Sequence, residues 1–149
     1  MTYRVIQWAT GFVGQESIKG ILAHPELELV GCWVHSPDKV GRDAGEICGI
    51  EPTGVIATNS IDELLALGAD AVVYSPVLAD EGEILQFLEA GVNVVTPIGY
   101  VFPRPDARTA EIDAAAKRGG ATLHGTGIHP GGITERFPLT FSALCRNIR

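Results

Sequence analysis

The chain has 149 residues, of which 46% are hydrophobic and 19% charged, a balance that favours one ordinary globular domain. Its formal net charge is −7 and no block of lysine and arginine stands out, which argues against nucleic acid or an anionic membrane as partner. The sequence has neither a signal-peptide pattern nor a long apolar run, and its three cysteines lack paired spacing. We therefore expect a soluble cytoplasmic protein with free thiols.

Short apolar runs alternate with helical patterns along the chain, which indicates β-α-β units and a parallel sheet. Strands are predicted at residues 3–8, 27–34, 54–57, 71–74, 92–96 and 121–124. Helices are predicted after Gly14, at a capping box that begins at Ser60, after Asp80, and over residues 106–118. The first helix should bury Ile18, Ile21 and Leu22. The pattern predicts an α/β fold of the Rossmann type, a doubly wound parallel sheet of about six strands with helices on both faces.

The first predicted strand runs directly into a glycine turn and then a helix. Gly11 would let the backbone pass close to a pyrophosphate, Gly14 would let the helix pack closely on the strand, and the helix N-terminus would offer unpaired N–H groups. A complete Gly-x-Gly-x-x-Gly pattern would have glycine at position 9, where this chain has Ala9. The turn predicts a dinucleotide site, formed by Thr10, Gly11, Phe12, Val13 and Gly14.

The end of the second strand should contain the group that contacts the adenosine ribose, and an acidic residue there is typical of NAD sites. His35 and Ser36 lie at that place, and Lys39 and Arg42 follow within reach of a 2′-phosphate. Asp38 is the alternative ribose ligand. We therefore predict NADP(H) as the cofactor, read by His35, Ser36 and Lys39, with NAD(H) as the alternative.

Ligands of open α/β sheets lie beyond the carboxyl ends of the strands. Three of the corresponding segments are unusual in composition: Ser75-Pro76, Pro97-Ile98-Gly99-Tyr100 and Gly125-Thr126-Gly127. His24, His35, His124 and His129 are scattered, so no metal site is predicted. The sequence also lacks the glycine-rich lysine motif of P-loop phosphate transfer.

The segment Gly41-Arg42-Asp43-Ala44-Gly45-Glu46-Ile47-Cys48-Gly49 resembles the Gly-x-Asp-Ala-Gly-Glu-Leu-x-Gly segment of dihydrodipicolinate reductases. Together with the glycine turn, the resemblance extends over about residues 3–128. It implies that Ser75, Pro76, Pro97 and Gly99 flank the nicotinamide half of the cofactor. Residues 7–11 and 125–131 look closer to a branch that includes 2,4-diaminopentanoate dehydrogenase and NAD(P)-dependent amine dehydrogenases.

The resemblance implies an oxidoreductase that transfers a hydride at a C=N or C–N bond. The His-His-x-x-Lys motif of the reductases' second domain does not occur in this chain, and no catalytic residue is assigned. We expect a dinucleotide-binding domain at residues 1–128 and a tail at 129–149 that leads toward a missing second domain for substrate or oligomerisation. The apolar stretch 137–144 favours a homo-oligomer. The alternative is a stand-alone dinucleotide-binding or sensing module without turnover.

Overall fold

The computed structural model describes residues 1–102, 104–127 and 132–147. The strands are β1 Tyr3–Trp8, β2 Leu27–Trp33, β3 Ala57–Thr58, β4 Ala71–Tyr74, β5 Asn93–Thr96 and β6 Leu123–Gly125. The helices are α1 Phe12–Ala23, α2 Ala44–Cys48, α3 Ile61–Leu65, α4 Glu81–Glu89, α5 Ala107–Gly119 and α6 Phe137–Ser142. A single 3-10 turn lies at Pro37–Lys39 and a π-helical turn at Gly132–Arg136.

All six strands pair in parallel in one sheet, in the order β3-β2-β1-β4-β5-β6. The order reverses beside β1, because β2 and β3 lie on one side of it and β4 to β6 on the other. This is the strand order of the two-halved dinucleotide-binding fold, and the prediction of a Rossmann-type sheet is confirmed. The ligand position of such a sheet lies at the carboxyl end of β1, where the chain turns into α1.

The sheet separates two hydrophobic cores, as expected when helices cover both faces. One core joins β1, β4 and β5 to α3, α4 and α5 and contains Trp8, Tyr74 and Phe87. The other joins β1 and β2 to α1 and α2 and contains Ile18 and Cys32. Alternate residues of β1 enter opposite cores, as the two-residue period of a strand requires.

Several boundaries differ from those expected. α1 begins at Phe12, before Gly14, because the glycine turn is itself the first turn of the helix. Leu22 is exposed, and only Ile18 and Ile21 of the predicted stripe are buried. Residues 54–56 do not belong to β3, and α2 is not among the helices predicted from the sequence. None of the helices formed by the described residues has both the length and the apolar character that a membrane span requires.

The C-terminal part of the described chain is helical but contributes nothing to either core. Its apolar side chains Ile133, Phe137, Leu139, Phe141 and Leu144 are all exposed. The rings of Phe137 and Phe141 contact each other, with centroids 6.3 Å apart. The predicted domain boundary between residues 128 and 129 lies outside the described residues, as does His129.

Candidate functional site: the turn between β1 and α1

The turn after β1 has the backbone of a glycine-rich fingerprint although its first glycine is replaced. Ala9 has φ +72°, the left-handed conformation that glycine adopts freely and alanine adopts at a cost of about 1 kcal/mol. A Cβ at Gly14 would lie 2.1 Å from the carbonyl oxygen of Ala9, so only glycine fits there. A Cβ at Gly11 would meet nothing within 4 Å. The open space at Gly11 fits the close approach of a ligand to the backbone, and the fold itself does not require a glycine at that position.

The N-terminus of α1 differs from the starts of the other helices of the sheet layers. Asp43, Ser60, Asp80 and Asp106 each accept a backbone N–H bond as caps of α2, α3, α4 and α5. The N-cap of α1, Gly11, has no side chain to do so, and the first turn of α1 contains no acidic residue. The first N–H groups of α1 are therefore left without a side-chain acceptor, together with the positive end of the helix dipole.

Thr10, Phe12 and Val13 occupy different surroundings within this turn. Thr10 is buried, whereas Phe12 is 83% exposed and Val13 is also exposed. The two apolar side chains at the mouth of the turn are thus in contact with solvent unless a ligand or further polypeptide covers them.

Of the residues predicted after β2, Lys39 reaches the turn. Its Nζ donates to the carbonyl oxygen and to the hydroxyl of Thr10, each at 3.3 Å. The ring of His35 lies at the surface, 6.0 Å from the ring of Trp33, and Ser36 is half-buried before the 3-10 turn. Lys39 therefore places a positive charge beside the uncapped start of α1, and His35 and Ser36 lie farther out along the same edge.

The residues predicted after β4 and β5 lie at the same edge of the sheet. The Ser75 hydroxyl donates to the Trp8 carbonyl oxygen at 3.2 Å, which ties the end of β4 to the end of β1. Pro76 and Pro97 are half-buried, and Gly99 is exposed with φ +61°. A Cβ at Gly125 would lie 2.5 Å from the carbonyl of Tyr100, so the loop after β5 packs directly on the end of β6.

The Asp-Ala-Gly-Glu segment has a structural function in this fold. Oδ1 of Asp43 accepts hydrogen bonds from the backbone N–H groups of Gly45 at 2.7 Å and Thr53 at 2.8 Å, and Oδ2 accepts one from Gly54 at 2.7 Å. These bonds lower the pKa of Asp43 below its ordinary value of 3.8. A Cβ at Gly45 would lie 2.1 Å from the carbonyl oxygen of Glu51. The segment therefore fastens the connection between β2 and β3, at the side of the sheet where Lys39 lies.

Two groups of side chains near the turn were not singled out by the sequence. Gln7 is buried, and its Nε2 donates to the carbonyls of Trp8 and Ala9 and to the Ser75 hydroxyl. The Tyr74 hydroxyl donates to Glu83 Oε2 at 2.5 Å and accepts from the Asp80 N–H. Burial raises the pKa of Glu83 above its ordinary value. The available signal was the polar Gln7 between the apolar residues Ile6 and Trp8.

Trp8 is the last residue of β1 and is buried directly before the turn. Its ring stacks on that of Trp33, with centroids 4.3 Å apart and planes 7° from parallel, and meets the edge of Phe87. The indole ring of Trp8 is 1% exposed. This stack connects the ends of β1 and β2, so a ligand at the turn lies within fluorescence-quenching range of two tryptophans.

A groove whose lining does not include the glycine turn lies beside this site. It has a volume of about 1290 Å³ and extends from the loop after β5, at Gly99 and Tyr100, along α5 to the start of β6. Its wall mixes acidic and basic side chains with apolar ones, including Arg104, Asp113 and Ile112. No group of three metal-ligating side chains occurs within the described residues.

Comparison with known proteins finds one matching family and relatives named amine dehydrogenase among both sequences and solved structures. Residues 5–96 match the family described as dihydrodipicolinate reductase, N-terminus. An amine dehydrogenase from Streptomyces virginiae is 38% identical over 151 residues, which cover 93% of this chain and 41% of that protein. The structure of amine dehydrogenase from Mycobacterium smegmatis superposes with a TM-score of 0.77 at 27% identity, over 99% of this chain and 46% of that one.

More distant structures share the fold alone. GenD2 from gentamicin A biosynthesis, in complex with NAD, has a TM-score of 0.62 at 22% identity over 84% of this chain and 35% of that one. Biliverdin reductase from Synechocystis sp. PCC 6803, in complex with biliverdin and NADP+, has a TM-score of 0.70 at 19% identity over 94% of this chain and 43% of that one. The chain spans less than half the length of each of these relatives.

Proposed function

Because the chain belongs to the dihydrodipicolinate reductase N-terminal family, we propose that it binds a nicotinamide dinucleotide across the carboxyl edge of its sheet. The observation that carries this proposal is the uncapped start of α1 beside an open Gly11. Thr10, Gly11, Phe12, Val13 and Gly14 would hold the pyrophosphate through backbone N–H groups. Two features fit an anionic ligand: the open space beside Gly11, and the absence of a carboxylate in the first turn of α1 that would compete for the N–H groups.

The adenosine end of the ligand would lie over the loop after β2. The ribose or its 2′-phosphate would be contacted by His35, Ser36 and Lys39. The positive charge of Lys39, held 3.3 Å from Thr10, supports NADP(H) in preference to NAD(H). Related folds are seen with each cofactor.

The nicotinamide end would lie against the loops after β4 and β5, flanked by Ser75, Pro76, Pro97 and Gly99. When bound, the nicotinamide supplies or accepts the hydride. The role of this chain would be to hold the nicotinamide ring with one face toward an imine or amine substrate. The hydride would be exchanged with the carbon of the substrate's C=N or C–N bond. The similarity to amine dehydrogenases supports this substrate class.

Further polypeptide would complete the substrate pocket in this proposal. One face of the sheet is covered by α1 and α2 where it is formed by β1 and β2. On the same face, Val73 of β4 and Val95 of β5 are half-exposed. The apolar side chains of α6 are also exposed. Such surfaces are suited to covering by a second domain or a second copy of the chain. Under this proposal residues 1–128 are the dinucleotide domain and residues 129–149 lead toward that partner.

Titration with NADPH and NADH at matched salt tests the proposal, with tryptophan fluorescence as the signal. We expect quenching through the Trp8 and Trp33 stack and tighter binding of NADPH. Equal affinities would remove the support for NADP(H), and failure to bind either dinucleotide would overturn the proposal.

A second experiment separates an enzyme from a binding module. The alternative function is a module that binds dinucleotide without turnover. The NADPH-loaded protein is offered imines and dihydrodipicolinate, and the NADP+-loaded protein is offered amines, while absorbance at the NADPH band is followed. Turnover with any of these compounds would exclude the module.

A further inference from the structure

Gln7 is a polar residue at a place where the fold calls for an apolar one. It lies in the central strand, opposite Cys32 of β2 and Val73 of β4, and it is 0% exposed. Burial of an amide is unfavourable unless its polar atoms are hydrogen-bonded. Its Oε1 is buried without a partner among the described residues, so leucine would suit the core better. Packing alone therefore does not account for Gln7.

The nitrogen of the Gln7 amide holds the backbone of the glycine turn. Nε2 donates to the carbonyl oxygens of Trp8 and Ala9, both at 3.0 Å. Carbonyl oxygens only accept hydrogen bonds, so the NH₂ end of the amide must face them. Two consecutive carbonyls are thus drawn to one side chain beneath the turn.

The second of these carbonyls belongs to the residue with the unfavourable backbone. Ala9 has φ +72°, which an alanine adopts only when its surroundings impose it. In a planar trans peptide the carbonyl and the following N–H point in opposite directions. When Gln7 holds the Ala9 carbonyl inward, the Thr10 N–H points away from Gln7. The ideal Cβ position at Gly14 lies 2.1 Å from this carbonyl and 3.1 Å from Nε2, so Gly14 provides the space for the bond.

The same amide connects the turn to the neighbouring loop. Gln7 Nε2 also lies 2.9 Å from the Ser75 hydroxyl, so its two N–H groups are shared among three acceptors. The Ser75 hydroxyl in turn donates to the Trp8 carbonyl oxygen at 3.2 Å. The ends of β1 and β4 are therefore joined through one side chain. These are the two strands whose following segments would contact the pyrophosphate and the nicotinamide half.

We infer that Gln7 is the positioning residue of the dinucleotide site: its amide imposes the left-handed conformation of Ala9 and so shapes the turn for the pyrophosphate. The inference rests on the proposed dinucleotide binding. A glycine at position 9 would adopt the left-handed conformation unaided. The hydrogen bonds of Gln7 are needed because position 9 is an alanine.

The test is a double-mutant cycle in dinucleotide affinity. Gln7→Leu removes the donors and is expected to weaken NADPH binding at least about tenfold. Ala9→Gly alone should leave the affinity within about twofold of the wild type. The double variant, Gln7→Leu with Ala9→Gly, should recover most of the lost affinity, because the turn then forms without the amide. Gln7→Met, of similar length and without donors, replaces Gln7→Leu if that variant does not fold.

A matched control is Val5→Ala, a truncation in the core two residues earlier on the same face of β1. It should lower the melting temperature without changing the affinity of the folded protein, and Ala9→Gly should not alter that result. Wild-type affinity in Gln7→Leu or Gln7→Met, or no recovery in the double variant, would overturn the inference while dinucleotide binding stands. If the wild type binds neither NADPH nor NADH, both the proposed function and this inference fail.

Discussion

The ammonium group of Lys39 lies 3.3 Å from both the carbonyl oxygen and the hydroxyl of Thr10, although the two residues belong to segments that follow different strands. Lys39→Met keeps the aliphatic stem and removes the charge. We expect NADPH to bind about tenfold more weakly to this variant, with a smaller loss for NADH. The difference should shrink at high salt, because ions screen the contribution of the lysine. Calorimetric titration at two ionic strengths measures both effects. Lys117→Met, which removes an exposed charge on α5, is the control.

The three glycines of α1 and its turn should respond differently to alanine. Gly14→Ala places a Cβ 2.1 Å from the Ala9 carbonyl oxygen, and we expect a loss in unfolding free energy of about 3 kcal/mol. Gly11→Ala meets no neighbour and should leave stability within about 0.5 kcal/mol, yet weaken NADPH binding at least about tenfold. Gly20→Ala, on the exposed side of α1, should gain about 0.5–1 kcal/mol. Urea unfolding and titration separate these outcomes, and unchanged binding by Gly11→Ala would contradict the pyrophosphate position.

Asp43→Asn should loosen the connection between β2 and β3. The carboxylate is 8% exposed and accepts three backbone N–H bonds, so the variant should lose about 2 kcal/mol of stability at neutral pH. The pKa of Asp43 is lowered by folding, so its contribution is present above 3.8 and is lost as the pH falls through the lower folded value. The gap between wild type and variant should therefore close in acid. A gap that stays constant down to about pH 2, below the ordinary carboxyl range, would count against this account.

Glu83→Gln tests a carboxyl group whose pKa moves in the opposite direction. Because burial raises the pKa of Glu83 in the folded protein, its ionisation weakens the fold as the pH rises above the ordinary value of 4.5. The glutamine variant has no such ionisation, and its carbonyl oxygen still accepts the Tyr74 hydroxyl. We expect its stability to improve relative to wild type as the pH rises from about 4.5 toward neutral. Unfolding by urea across this range measures the trend.

The sheet could be predicted because a strand is marked in the sequence by a short local run of apolar residues. β1 and β4 lie where the apolar runs indicate, and the capping box at Ser60 does accept the N–H of Glu63. Local patterns fail where tertiary contacts decide. α2 is only five residues long and depends on Asp43, whose partners lie up to 11 residues farther along the chain.

The glycine turn shows both the value and the limit of a motif. By residue type alone, Ala9 departs from the glycine pattern of a dinucleotide site. The structure gives Ala9 the conformation of a glycine. Neither this backbone angle nor the bond between Gln7 and Ser75 has a local signal, because the latter joins residues 68 positions apart. Lys39 was placed near the cofactor by its position after β2, and its contact with Thr10 depends on the path of the 3-10 turn.

β1 is made before the other five strands of this sheet, yet it lies in the sheet's interior between β2 and β4. A growing chain can pair β1 with β2 early, but the other edge of β1 has no partner until residues 71–74 have emerged from the ribosome. Pairing across so long a stretch of sequence is slow, because the loop must close first. In that interval the hydrophobic edge of β1 is exposed to strands of other chains. We therefore expect slow capture of β4 to favour mispairing of β1 during synthesis.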